Sequence, residues 1–124
     1  LALALRVLGP DRLFLVSDAM APLGADLERF ELLGKTIHRR EGRLTDADGT
    51  LAGADLSMAQ AVTRMAELTG CGLAQAVRMA SRTPARALNR ADLGEIAPGK
   101  RASLSLFDAD FAPQGVVIDG EPVA

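Results

Sequence analysis

Aromatic side chains are scarce in these 124 residues: four Phe, no Trp and no Tyr. That argues against a surface that stacks nucleobases. Charge of one sign is missing too. Fourteen Lys and Arg are interspersed with sixteen Asp and Glu, for a formal charge of −2, so there is neither a basic face for nucleic acid nor a cationic block for a membrane surface. No apolar run approaches the ~18 residues of a membrane span, and the first residues lack the basic start and cleavage pattern of a signal peptide. The single cysteine, Cys71, cannot form an internal disulfide; it reads as an inert small apolar residue in a turn, in a reduced, cytoplasmic setting. The single histidine, His38, falls in a hairpin pattern and reads as a surface residue. One histidine cannot build a catalytic zinc site with its usual three protein ligands, so no metal ligand is assigned within the chain.

What is present is the composition of a soluble globular protein with one modest core, 48% hydrophobic and 24% charged. The stretch Leu13-Phe14-Leu15-Val16-Ser17-Asp18-Ala19-Met20 organises it. Its unbroken apolar run is the signature of a parallel strand covered on both faces, and it ends in an acid where the backbone leaves the sheet. Two roles are open to Asp18. Residues just past the carboxyl ends of parallel strands face the ligand crevice, where a carboxylate is well sited to move a proton. Asp is also a common turn or capping residue after a strand.

Before this stretch, Leu1, Leu5 and Leu8 recur at helical spacing without a capping residue, which reads as the tail of a helix already under way, with further residues expected before Leu1. After it comes a small-residue loop, and then short strands: Phe30 to Leu33, Lys35 to Arg40 and Arg43 to Thr45, separated by Gly34 and by Glu41-Gly42. Asp46-Ala47-Asp48-Gly49 lacks the further oxygen ligands and terminal glutamate of a calcium loop and reads as a plain turn. Ser57, followed three residues later by Gln60, is a capping box; Met58, Val62, Met65 and Thr69, with Ala61, Ala66 and Leu68 beside them, form the apolar face of the helix that follows. Leu51-Ala52-Gly53 precedes it with small residues whose backbone N–H groups are open just before a helix N-terminus, an arrangement suited to an anionic or carbonyl-bearing ligand. A second helix begins at Leu73 with Leu73, Ala76, Val77 and Ala80 on one side, and Thr83-Pro84 caps a short third helix. Ala97-Pro98-Gly99-Lys100 has the residues of a type II turn. Alternation over residues 102–107 and a run over 115–118, turning at Asp119-Gly120, predict two strands of a sheet that needs further strands from elsewhere.

The order of these signals resembles the C-terminal third of the N-acetylglucosamine-6-phosphate deacetylases of the amidohydrolase superfamily. The matching words are Leu15-Val16-Ser17-Asp18-Ala19, Asp48-Gly49-Thr50-Leu51-Ala52-Gly53, Leu56-Ser57-Met58, Met79-Ala80-Ser81 through Pro84-Ala85, and Gly94-Glu95-Ile96-Ala97-Pro98-Gly99-Lys100. The resemblance implies an α/β fold: the C-terminal part of a (β/α)8 TIM-type barrel over residues 1–100, with a β-hairpin insertion at about 30–48, then strands of a small β-sandwich domain over residues 101–124. A complete barrel takes ~250 residues, so the chain is expected to be a fragment. The resemblance makes Asp18 the catalytic acid/base, taking a proton from the attacking water and returning it to the leaving amine, and it makes Leu51, Ala52 and Gly53 contacts to the sugar. Relatives often carry serine at the place of Ala54. A divalent metal, zinc or iron, is implied, with a glutamate and two histidines upstream of this chain as ligands. The expected partners are a small-molecule amino-sugar phosphate and further copies of the chain in a homo-oligomer, with no nucleic acid and no membrane. Two other readings stand beside it: an amidohydrolase acting on a cyclic amide or ureide, and a non-catalytic domain that associates through unpaired strand edges.

Overall fold

Two-residue loops that end in glycine set most of the strand pattern. At Leu33-Gly34, Glu41-Gly42 and Asp119-Gly120 both residues have positive φ, the geometry whose twist matches a right-handed strand pair. The computed structural model describes residues 1–123 and divides into two compact units, Val16–Met58 on the one hand and Leu1–Leu15 with the chain from Ala59 onward on the other.

In the unit Val16–Met58, β1 (Arg29–Leu32), β2 (Lys35–Arg40), β3 (Arg43–Thr45) and β4 (Leu51–Ala54) form an antiparallel meander in the order β1-β2-β3-β4. β2 and β3 have the limits expected from sequence. β1 is displaced by one residue, because Leu33 belongs to the turn and is 96% exposed. Ile37 and Leu44 are the buried apolar side chains of this sheet. The turn after β3 is a plain one: Asp46 Oδ1 accepts from the backbone N–H groups of Asp48 (3.1 Å) and Thr50 (2.8 Å), and Asp46 Oδ2 pairs with Lys35 Nζ at 2.8 Å. With its oxygens so engaged, Asp46 closes a loop instead of binding a cation.

In the other unit, α1 (Ala2–Leu8) leads into the apolar stretch, and α2 (Met58–Thr69) continues from Ala59, followed by α3 (Leu73–Ala80) and α4 (Arg82–Ala87). Val62, Met65, Ala76 and Met79 form a buried cluster against which Leu5, Leu13, Leu15, Cys71 and Phe111 pack. The stretch at residues 13–16 differs from expectation. Leu13 and Leu15 face this cluster, and Leu15 N–H donates to the Met79 carbonyl at 3.0 Å, while Phe14 and Val16 are 45% and 68% exposed. One face is covered and one is open, and no neighbouring strand pairs with residues 13–16 among the described residues. The sequence pattern of a doubly covered strand is there without its second cover.

The helices also adjust the expected faces. On α2, Ala61, Val62 and Met65 are buried as read, but Leu68 is exposed; on α3 the buried residues are Ala76 and Met79, with Leu73 and Val77 at the surface. An eight-residue helix that is mostly apolar fixes its rotation by what it packs against, not by its own period. Thr83 is not a cap: α4 starts one residue earlier, and the buried Thr83 hydroxyl donates to the Pro10 carbonyl at 3.1 Å. Gly94 passes so close to α4 that a Cβ would lie 2.8 Å from Arg82 Cα, and Glu95 bridges Arg82 (2.6 Å) and Lys100 (3.4 Å). The turn at Lys100 is as expected, with Lys100 N–H donating to the Ala97 carbonyl and Gly99 at φ 81°. The last sheet runs β5 (Leu104–Phe107), β6 (Pro113–Ile118), β7 (Glu121–Val123), all antiparallel; β7 is a third strand beyond the two expected. No helix among the described residues is long and apolar enough to cross a membrane.

Candidate active site

Where the apolar stretch ends, the backbone turns on local chemistry. Ser17 Oγ accepts from the Ala19 N–H at 3.3 Å, and Asp18 adopts a left-handed conformation, φ 52°. Asp and Asn are the side chains other than glycine that enter this region most readily. Asp18 is exposed, and among the described residues its carboxylate makes no ion pair or hydrogen bond. It is therefore open to an incoming molecule.

The Asp18 main chain is tied to β4. Ala54 N–H donates to the Asp18 carbonyl at 2.8 Å, and Ala19 and Ala54 form a parallel bridge. The structure thus brings the Asp18 main chain against Gly53 and Ala54, at the end of the strand that also carries Leu51 and Ala52. Gly53 makes that approach possible. At φ 148°, a Cβ there would stand 2.5 Å from Met20 Cγ and 3.1 Å from the Asp18 carbonyl oxygen, so any other residue would displace the Met20 side chain and crowd the Asp18 carbonyl in a backbone conformation that favours glycine.

The reading of Leu51-Ala52-Gly53 as an open loop before a helix N-terminus is corrected. These residues are in a strand, and α2 starts only at Met58. In the register of β3 on β4, Leu44 faces Gly53 and Thr45 faces Leu51, which leaves Ala52 as an extra residue without a partner. Such a bulge disrupts the ladder locally and is over-represented beside active sites. Small side chains made the segment look like a loop, whereas pairing with β3 and the close pass of Met20 hold it as a strand.

Two charged pairs support this unit. The Lys35 ammonium beside Asp46, assisted by the backbone N–H groups of Thr50 and Asp48, holds the Asp46 carboxyl below the usual carboxylate range. Arg39 Nε pairs with Asp55 Oδ2 at 2.7 Å, and Arg39 Nη1 donates to the Ala25 carbonyl at 3.0 Å. Neither Arg39 nor Asp55 stands out in a reading of motifs. The available signal was alternation: Arg39 lies two residues from buried Ile37, hence on the same face of the sheet, where a charge needs a partner. His38 is half-buried in β2, opposite Thr45 on one side and Arg29 on the other. No group of three or more His, Cys, Asp or Glu among the described residues could hold a metal ion, so these residues do not by themselves fit a catalytic metal.

Comparison with known proteins bears on what this geometry serves. The family model described as "Amidohydrolase family" matches residues 16–123. The chain is 40% identical over 114 residues to the N-acetylglucosamine-6-phosphate deacetylase of Haemophilus influenzae, covering 90% of this chain and 30% of that protein. It is 43% identical over 118 residues to the N-acetylgalactosamine-6-phosphate deacetylase of a Shewanella species, covering 95% of this chain and 30% of that one. The crystal structure of N-acetylglucosamine-6-phosphate deacetylase from Pasteurella multocida matches with a TM-score of 0.92 at 38% identity, over 99% of this chain and 32% of the other. The mixed helix and strand fold is thus shared with that structure, and the chain spans about 30% of the length of these two curated relatives.

Proposed function

Because the chain belongs to the amidohydrolase family, we propose that the protein carrying it hydrolyses the acetamide of an N-acetylated amino-sugar 6-phosphate to the free amine and acetate, with N-acetylglucosamine 6-phosphate as the first substrate to test. The observation that carries this reading is the open carboxylate of Asp18, joined through its own carbonyl to the strand that holds Leu51, Ala52 and Gly53. Asp18 acts as the acid/base. Its carboxylate accepts a proton from the attacking water as the C–O bond forms, and the resulting carboxylic acid gives that proton to the amine nitrogen as the C–N bond breaks. Leu51, Ala52 and Gly53 contact the sugar, at the place where the β3–β4 register shifts.

In this reading residues 1–100 are the C-terminal part of a (β/α)8 barrel and residues 101–124 contribute strands to a small β-sandwich. The open face of Phe14 and Val16 supports it, since a barrel strand is covered on both sides. Deacetylases of this family generally use a divalent metal. We assign zinc or iron, with its ligands on chain upstream of these residues, and we take the whole protein to be a cytoplasmic homo-oligomer. The 43% identity to a galactosamine-type relative makes the 4-epimer the second substrate to test.

Full-length protein supplied with divalent metal is assayed on both N-acetyl sugar phosphates and on a cyclic amide. Asp18→Asn is expected to lower kcat by a factor of at least about 100, the usual contribution of general acid–base catalysis. Hydrolysis near the wild-type rate in that variant, or turnover of the cyclic amide alone, would overturn the assignment.

A further inference from the structure

The left-handed conformation of Asp18 persists only if its surroundings over-determine it, because backbone in such a region relaxes when free to do so. One restraint is the Ala54 N–H on the Asp18 carbonyl. The next residue, Asp55, has its carboxylate on Arg39 Nε at 2.7 Å, in a side chain only 12% exposed. Arg39 turns a second donor, Nη1, to the Ala25 carbonyl at 3.0 Å, and its own N–H to the Glu28 carbonyl at 2.7 Å. From Ala25 the chain returns to Asp18 through two tight turns, Ala25 N–H to the Pro22 carbonyl and Leu23 N–H to the Met20 carbonyl, both 3.0 Å. The bonds therefore close a ring that runs from Asp18 through Ala54, Asp55, Arg39 and Ala25 back to Asp18.

We propose that Arg39 is a positioning residue for Asp18: its guanidinium fork holds, at once, the segment that follows β4 and the loop that follows Asp18, and so fixes where the carboxylate stands. The catalytic consequence rests on the deacetylase reading; the ring itself rests on geometry alone. A planar fork keeps its donors in fixed directions toward two separate acceptors, a geometry that the flexible lysine ammonium does not hold as rigidly. The other charged pair in the unit, Lys35 with Asp46, ties β2 to the turn after β3 and touches neither flank of Asp18, so it is the internal control.

The test uses full-length, metal-supplied protein bearing Arg39→Gln, Arg39→Lys, Asp55→Asn, the Gln/Asn double variant, or Lys35→Met, with kcat, KM and amide hydrogen exchange measured for each. Arg39→Gln and Asp55→Asn are expected to lower kcat about 10- to 100-fold while KM moves less than about threefold, the pattern of a misplaced reacting group. The double variant should be no worse than the poorer single one, since both break the same ring, and Arg39→Lys should recover only part of the loss. The Ala54 and Ala25 amides should exchange faster in Arg39→Gln and at the wild-type rate in Lys35→Met. Wild-type kcat and exchange in Arg39→Gln would overturn the proposal, as would an equal loss in Lys35→Met. If the wild type hydrolyses no N-acetyl sugar phosphate, the deacetylase reading fails while the exchange measurements still decide the ring.

Discussion

The two sheets are built from the same hairpin loops and held together differently. In β1–β4, Ile37 and Leu44 are 2% and 0% exposed, and two charged pairs cross between segments. In β5–β7 no side chain is fully buried; Leu106, Phe107, Val116, Ile118 and Val123 are all at the surface, and the pair from Arg101 to Asp119 is exposed on both sides. Phe107 and Phe111 stack at 4.2 Å beside the second sheet. The first sheet draws its stability from side chains, the second from its backbone ladder and from whatever covers its apolar faces. Turn chemistry alone produces a hairpin, and burial decides how firmly it is held.

The comparison is tested most strongly by truncating one apolar residue in each sheet. Leu44→Ala should destabilise the protein by about 2–5 kcal/mol, the range for emptying a buried leucine site, whereas Val116→Ala should cost about 0.5 kcal/mol or less, as for a surface position. Urea midpoints of the two variants check the order; equal losses would mean that the second sheet is as well covered as the first.

A smaller difference is expected from the acids. Asp46 and Asp119 both have carboxyls held below the usual range, the first chiefly by Lys35 and the second chiefly by Arg101. A carboxyl whose folded pKa lies below its unfolded value of about 3.9 stabilises the protein above that pH and loses the contribution as pH falls through the folded pKa. Stability should therefore drop below about pH 4, and Asp46→Asn should remove more of that dependence than Asp119→Asn, because Asp46 is buried and also caps two backbone donors. Midpoints measured from pH 7 to pH 3 for both variants check this. The smallest effect belongs to Arg90→Gln. Asp92, brought down to about 2 by its Arg90 partner, is half exposed, and the pair should contribute little once salt screens it; a midpoint that falls strongly in 1 M salt would contradict that.

What could be read from the sequence follows the range of the forces involved. β2 and β3 were legible to the residue because Gly34 and Glu41-Gly42 act on their immediate neighbours. The type II turn at Lys100 and the position of Asp18 at the end of an apolar stretch were legible for the same reason. β4 was not: Leu51, Ala52, Gly53 and Ala54 have little intrinsic preference for strand, and the strand exists because β3 and Met20 lie against it. Thr83 looked like a cap until the Pro10 carbonyl, 73 residues away in sequence, took its hydroxyl. β7 has Pro122 at its centre, a residue that gives no ladder donor and argues against a strand when read from sequence. The pair of Arg39 and Asp55 was not legible, since nothing local joins residues 25, 39 and 55.

The φ of 52° at Asp18 places two demands on one position, a handed backbone and an acidic group. Asparagine satisfies the first and not the second; alanine satisfies neither. Neutralising the acid with asparagine thus isolates its chemistry from the bend in the chain, while alanine confounds them. By the same logic, a chain that keeps this architecture without needing an acid at position 18 is free to carry asparagine or glycine there, and little else.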